Sequence, residues 1–106
     1  MKKVILESPY AGNIKRNVAY AEMCLKDSLN RGEAPLASHL LYPRVLNDKK
    51  KKERRMGIDA GLAWMKCADL HVFYIDFGYS EGMLYAKAHS NLKIEERRIM
   101  LHVDYE

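Results

Sequence analysis

The sequence has few cysteines and no long apolar run, and both features narrow the kinds of protein it can be. Its two cysteines, Cys24 and Cys67, fall in helical patterns and lack the paired spacing of a zinc site or a disulfide framework. No segment approaches the roughly 20 apolar residues of a membrane span, and no secretory signal follows Met1. We therefore expect a cytoplasmic protein with no metal site and no membrane partner.

The chain also lacks the glycine-rich motifs of proteins that bind dinucleotides or hydrolyse nucleoside triphosphates. Neither a GxGxxG nor a lysine-bearing P-loop is present, so no cofactor is expected. A chain of 106 residues can bury only one modest core, which predicts a single domain over residues 1–106.

Positive charge is concentrated in one short run. The net charge is +4, and Lys49–Arg55 holds six of the eighteen basic side chains. Such a run is typical of a solvated helix start, and it lacks the interleaved aromatics of a nucleic-acid arm, so no nucleic acid polymer is expected as a partner. It would favour a ligand with several phosphates, and an interaction module for an acidic partner stays open as an alternative.

Apolar periodicity predicts alternating strands and helices. Strands are expected at Lys3–Glu7, Ala34–Leu41, Leu70–Ile75, and either around Ile94 or over Arg98–Val103. Helices are expected from the Asn13 N-cap to Gly32, from the basic run to Asp69, and over Glu81–Asn91. This alternation predicts an α/β fold with a small, doubly wound, mostly parallel sheet and helices on both faces.

The first predicted helix shows the clearest apolar stripe. Its apolar residues recur at helical spacing and are expected to face the core: Ile14, Val18, Ala21, Leu25 and Leu29. Pro35 limits the second strand to the sheet edge or to its own first residues.

Three loops follow predicted strands and should meet at one edge of the sheet, because parallel strands end at the same edge. We expect one pocket from residues 8–13, 38–43 and 76–82. Its predicted binding residues are Ser8, Tyr10, Gly12, Asn13, His39, Tyr42, Ser80 and Gly82, with Asp76 and Glu81 as its acids. Hydroxyls, a free helix-start amide and flat tyrosine faces suit a phosphate, a sugar and a base.

Each of these residues also has a plainer structural interpretation. Ser80 is suited to be a helix N-cap, and His39 to be a hydrogen-bonded core residue. Asp76 and Glu81 are either solvated surface acids or groups that position a sugar hydroxyl or protonate a leaving base.

Four segments of the chain carry a family resemblance when taken in order. They are Ser8-Pro9-Tyr10-Ala11-Gly12, Ser38–Pro43, Gly61–Asp69 and Ser80-x-Gly82-x-x-Tyr85-Ala86. Together they resemble the nucleoside 2-deoxyribosyltransferase-like superfamily, which includes nucleotide N-glycosidases and short phage and bacterial relatives. The resemblance spans about Val4 to Ile99. It implies a Rossmann-like or flavodoxin-like fold, a homodimer or higher homo-oligomer, and cleavage of the base–sugar bond of a nucleotide.

One position departs from the pattern of that superfamily. The last residue of its serine-glycine motif is usually a glutamate that attacks the anomeric carbon, and here it is Ala86. A methyl group supplies neither a nucleophile nor negative charge to an oxocarbenium-like transition state. The resemblance therefore implies an N-glycosidase (hydrolase) scaffold, with Ala86 at the catalytic position, that binds better than it turns over.

Two explanations of Ala86 stay open beside the plain fact that alanine is the best helix former. An introduced replacement of the nucleophile is favoured by the otherwise intact pocket residues. A natural, non-catalytic protein that sequesters a nucleotide is the alternative. With the basic run, the resemblance suggests a cyclic or multi-phosphate immune signalling nucleotide as ligand and a phage counter-defence role in the bacterial host cytoplasm.

Overall fold

Four strands and three α-helices make up the regular structure of residues 1–100, the part of the chain that the computed structural model describes. The strands are β1 Lys2–Glu7, β2 Glu33–Leu36, β3 Leu70–Tyr74 and β4 Ile94–Arg97. The helices are α1 Ile14–Asn30, α2 Lys51–Ala63 and α3 Glu81–Ala88. All strand pairs are parallel, in the order β2-β1-β3-β4. The predicted α/β class with a small doubly wound sheet is confirmed.

Helices cover both faces of the sheet. On one face, Tyr20 and Cys24 of α1 pack with Val4 and Val72 in a buried cluster. Because side chains alternate along a strand, the neighbouring residues of β3 point to the opposite face, and all five residues of this central strand are buried. A strand buried on both sides agrees with the continuously apolar sequence of Leu70–Tyr74.

The second face is formed against α2 and α3. Met83 and Ala86 of α3 are buried with Phe73 of β3 and with Ile75, which follows that strand, and Leu62 of α2 packs against them. Helices α2 and α3 therefore lie side by side on this face of the sheet. The cavity described below lies between these elements.

The buried side of α1 differs from the predicted apolar stripe. Its buried residues are Asn17, Tyr20, Ala21, Cys24 and Ser28, whereas Ile14 and Leu29 are about half exposed, at 47% and 52%. The predicted buried face was wrong: the helix is rotated by part of a turn from the predicted orientation. Two of its buried residues, Asn17 and Ser28, are polar, and each makes hydrogen bonds within the fold. Ser28, for example, donates to Glu33 Oε1 over 2.8 Å.

A buried ion pair explains why polar side chains line that face. Arg97 donates to both carboxylate oxygens of Glu33, over 2.8 and 2.7 Å, and to the hydroxyl of Tyr74 over 3.1 Å. The hydrogen bonds from Arg97 lower the pKa of Glu33 more than burial raises it. The pair links the two edge strands β2 and β4 across the α1 side of the sheet.

The predicted end of the second strand needs correction. The second strand ends at Leu36, and His39 lies in a short 3-10 helix, Ser38–Leu40, because the amides of Leu40 and Leu41 bond back to Ala37 and Ser38. A second 3-10 turn, Tyr42–Arg44, follows. The edge position predicted from Pro35 is confirmed, since β2 pairs only with β1 within residues 1–100.

The remaining elements lie close to their predicted positions. Helix α2 ends at Ala63 and continues as a 3-10 turn to Cys67, whose side chain is exposed, while Cys24 is buried. Helix α3 ends at Ala88. The fourth strand forms at Ile94–Arg97, and the alternative strand over Arg98–Val103 falls partly outside the described residues. In residues 1–100, no helix combines the length and apolar character needed to cross a bilayer.

Candidate functional site

A cavity of about 420 Å³ opens at the carboxyl edge of the sheet. Pockets that hold small-molecule ligands commonly measure roughly 300–1,000 Å³. All three predicted loops contribute to its wall. The predicted residues that line it are Ser8, Tyr10, Gly12, His39, Tyr42, Ser80, Glu81, Gly82 and Ala86. The predicted convergence of the loops therefore agrees with the structure.

Two predicted pocket residues do not line this cavity. Asn13 caps α1, its side-chain oxygen accepting from the Arg16 amide over 3.1 Å. Asp76 accepts from the hydroxyl of Tyr20 and from the amides of Ile99 and Met100, over 3.0 and 2.9 Å for the amides. Burial acts to raise the pKa of Asp76, but these hydrogen bonds outweigh it and the pKa lies below its ordinary value. Asp76 thus ties the segment after β4 to the α1 side of the fold.

Ser8 and His39 form a direct hydrogen bond inside the cavity wall. Ser8 Oγ lies 2.6 Å from Nε2 of His39, and Ser8 is buried. Burial lowers the pKa of His39, and the nearby Glu7 carboxylate acts weakly in the opposite direction. A neutral ring therefore faces the cavity at pH 7. Its buried Nδ1 has no hydrogen-bond partner among the described residues.

The first loop is held in place by α1. The side-chain amide of the buried Asn17 donates to the carbonyls of Tyr10 and Ala11, over 3.0 and 3.1 Å. Gly12 has a φ of +99°, in a region that side chains with a Cβ rarely adopt. The loop that bears Ser8 and Tyr10 is thus fixed by a polar anchor and a glycine turn.

The start of α3 offers hydrogen-bond donors to the cavity. Ser80 is the N-cap, and its Oγ accepts from the Met83 amide over 3.2 Å, so the hydroxyl proton is free to donate elsewhere. Amides in the first turn of a helix have no intrahelical partner and attract anions. Arg54 of α2 lies beside this end, its Nη1 3.4 Å from Glu81 Oε1. The N-terminus of α3 and the guanidinium of Arg54 therefore lie at the same end of the cavity.

Ala86 belongs both to the core and to the cavity wall. It is 2% exposed and packs with Phe73, Ile75 and Met83, yet it lines the same cavity as Ser8 and His39. The position where the superfamily resemblance expects a carboxylate thus presents a methyl group beside the other predicted binding residues.

Helix α2 forms a wall of the cavity that the sequence motifs did not predict. The helix contributes Arg54, Gly57, Ile58, Gly61 and Leu62. A Cβ at Gly61 would come within 3.1 Å of Ser38 Cβ, so the glycine permits a close approach of α2 to the second loop. The i, i+4 spacing of Gly57 and Gly61 is the sequence signal that predicts such an approach.

The basic run contributes less to the cavity than its charge suggests. Arg54 is the basic residue of Lys49–Arg55 that lines it. Arg55 instead lies over the ring of Tyr85, with 4.8 Å from guanidinium to ring centre. Among residues 1–100, no group of three or more His, Cys, Asp or Glu side chains is arranged to hold a metal ion.

Comparison with known families adds one finding. Residues 2–99 match the model of a family described as Domain of unknown function (DUF7768). The chain belongs to this family. No curated protein and no solved structure matches the chain.

The range matched by the DUF7768 model contains the whole site. It spans all four strands and three helices of the described chain and every residue that lines the cavity. The cavity is therefore a feature of the DUF7768 domain itself.

Proposed function

We propose that this DUF7768 domain binds a nucleotide in the cavity, on the scaffold of a nucleotide N-glycosidase whose nucleophile position is occupied by Ala86. The observation that supports this most directly is that Ala86 lines one cavity with Ser8 and His39, residues 78 and 47 positions earlier in the chain. The three predicted loops converge there, which supports a site that holds a sugar between its first and third loops, and α2 forms a further wall.

The chemistry of the wall suggests how a nucleotide would lie. Its phosphate belongs at the start of α3, where the Ser80 hydroxyl, the Gly82 amide and the Arg54 guanidinium all donate hydrogen bonds to anions. The sugar then lies over Ala86. The base lies toward the rings of Tyr10 and Tyr42, whose flat apolar faces suit stacking.

The same arrangement limits turnover. Cleavage of a base–sugar bond builds positive charge on the sugar, and a carboxylate beneath it stabilises that charge or attacks the anomeric carbon. The Ala86 methyl group does neither, so this chain should hold its ligand intact. A chain with a carboxylate at this position should release the base, whereas a dedicated sequestering protein would act by binding alone.

Binding is tested by calorimetry with three ligand classes: nucleoside 5′-monophosphates, cyclic dinucleotides and nucleotides derived from NAD. We expect binding of at least one class, with affinity reduced by Arg54→Ala, which removes the cationic donor beside Ser80. After denaturation of the complex, chromatography should recover intact ligand and no free base. No binding by any class would contradict the proposal.

The enzyme scaffold is tested by Ala86→Glu, with Ala86→Gln as the matched control of equal size and no charge. We expect free base to appear with Ala86→Glu and to stay at background with Ala86→Gln and with the unaltered chain. Circular dichroism of all three checks that the cluster around position 86 still folds. Binding without base release by a folded Ala86→Glu chain would favour the sequestering protein over the enzyme.

A further inference from the structure

One acid of the cavity wall lies just before the first of the four sequence motifs. Glu7, the last residue of β1, is among the lining residues, and its side chain is only 15% exposed. Its Oε2 lies 2.9 Å from Nε2 of His71, which is fully buried on β3. Because a carboxylate only accepts hydrogen bonds, Nε2 donates to it.

The histidine is itself held from its other side. Nδ1 of His71 lies 2.8 Å from the hydroxyl of Ser90, so both ring nitrogens are engaged and the ring orientation is fixed. This chain of contacts sets the direction of the Glu7 carboxylate. Among residues 1–100, the side-chain hydrogen bonds of Glu7 are confined to Oε2, which leaves Oε1 to a ligand.

Glu7 lies near position 86. It pairs in register with Phe73 of the adjacent strand, and Phe73 packs in the same cluster as Ala86. Neighbouring strands are about 4.8 Å apart, and residues in register point to the same face. Glu7 and Ala86 therefore line the same cavity from the same face of the sheet.

The other acids that line the cavity are differently situated. Glu81 is 86% exposed on its side chain and lies beside Arg54. Glu53 accepts from the Asn47 amide over 2.8 Å. Asp48 also lines the cavity, and no side-chain hydrogen bond within residues 1–100 orients it. The Glu7 side chain is 15% exposed, against 31% for Glu53, and a buried histidine fixes its direction. The negative charge of Glu7 disfavours a phosphate at this end.

We propose that Glu7 accepts hydrogen bonds from the 2′- and 3′-hydroxyls of the sugar, so that the ligand is a ribonucleotide rather than a 2′-deoxyribonucleotide. This inference rests on the proposed function, because it assumes a nucleotide with its sugar over Ala86. A vicinal diol matches this carboxylate, because an oxygen of a carboxylate has two lone pairs, and within residues 1–100 both lone pairs of Oε1 are free to accept hydroxyl donors. An orientation fixed by His71 and Ser90 reduces the entropy lost on binding.

Calorimetry with matched pairs of 5′-monophosphates tests the proposal. Each pair carries the same base on ribose or on 2′-deoxyribose. We expect the ribose form of the preferred base to bind about tenfold or more tightly, since a hydrogen bond to a charged acceptor is worth that much. Glu7→Gln, which keeps the size of the side chain, should reduce the ratio several-fold. The control Glu22→Gln removes a charge from the exposed side of α1 and should preserve the ratio.

The outcomes separate the two proposals. Equal affinity for ribose and deoxyribose forms, or a ratio that survives in a folded Glu7→Gln chain, would overturn the role of Glu7 and leave nucleotide binding standing. Failure of every nucleotide to bind the unaltered chain would overturn both. If Glu7→Gln does not fold, the ribose-to-deoxyribose ratio of the unaltered chain still decides.

Discussion

Ser8 Oγ lies 2.6 Å from His39 Nε2, and this contact joins the end of β1 to the 3-10 helix that follows β2. Both residues line the cavity. The contact therefore couples the shape of the site to the stability of the fold.

We expect Ser8→Ala to lower the free energy of unfolding by about 1–3 kcal/mol, because it leaves His39 Nε2 without its partner in a buried setting. The affinity for the nucleotide should fall as well, since the ring loses its fixed orientation. Urea denaturation and calorimetry measure the two effects. Ser28→Ala is the comparison for affinity, because it removes a buried hydroxyl from Glu33 on the α1 side of the sheet, outside the cavity lining. Unchanged stability in Ser8→Ala would show that the contact contributes nothing.

The lowered pKa of His39 predicts how stability depends on pH. Burial disfavours the charged ring in the folded state and lowers the pKa of His39 below its ordinary value of 6.5. Between the lowered pKa and 6.5, the unfolded chain therefore binds more protons than the folded chain. The free energy of unfolding should therefore rise with pH through that interval and become flat above it. Urea denaturation between about pH 5 and 8 covers this range. His39→Gln should remove most of the slope, and a slope that is unchanged in the variant would assign it to another group.

Asp76 should matter for stability and not for binding. Asp76→Ala deprives the Tyr20 hydroxyl and the amides of Ile99 and Met100 of their acceptor, at about 1–3 kcal/mol for each group left buried and unpaired. Thermal unfolding should detect the loss. The affinity of the folded variant for the nucleotide should change by no more than about twofold, which corresponds to less than about 0.5 kcal/mol of binding free energy. A large loss of affinity at unchanged stability would instead give Asp76 a role in the site.

Gly61 should tolerate no side chain, whereas Gly82 should accept one. In Gly61→Ala the new methyl group would overlap Ser38, with Cβ atoms only 3.1 Å apart, and push α2 away from the second loop. We expect a loss of about 1–3 kcal/mol in stability. Gly82→Ala is the matched stability control, because nothing lies within 4 Å of a Cβ there. Similar unfolding midpoints for the two variants would contradict the close approach of α2.

The sequence alone predicted those strands and helix starts that depend on residues close together in the chain. The apolar run Leu70–Tyr74 indicated a strand covered on both faces, and Asn13 and Ser80 indicated helix starts that the structure confirms. The meeting of three loops followed from a general property of parallel sheets. These features depend on neighbouring residues and on strand order, which periodicity reveals.

Only the tertiary structure shows the contacts and burial of residues whose partners are distant in the chain. Glu33 and Arg97, like Glu7 and His71, are 64 positions apart, and no local pattern shows that either pair meets. Those contacts determine which polar side chains are buried, and so they bury Ser28 in place of the predicted Leu29. They also leave Glu7 in the cavity, while Asp76 turns away to bind backbone amides. A charged side chain is buried only where its charge is paired or hydrogen-bonded, and the partners in this protein come together only in the folded chain.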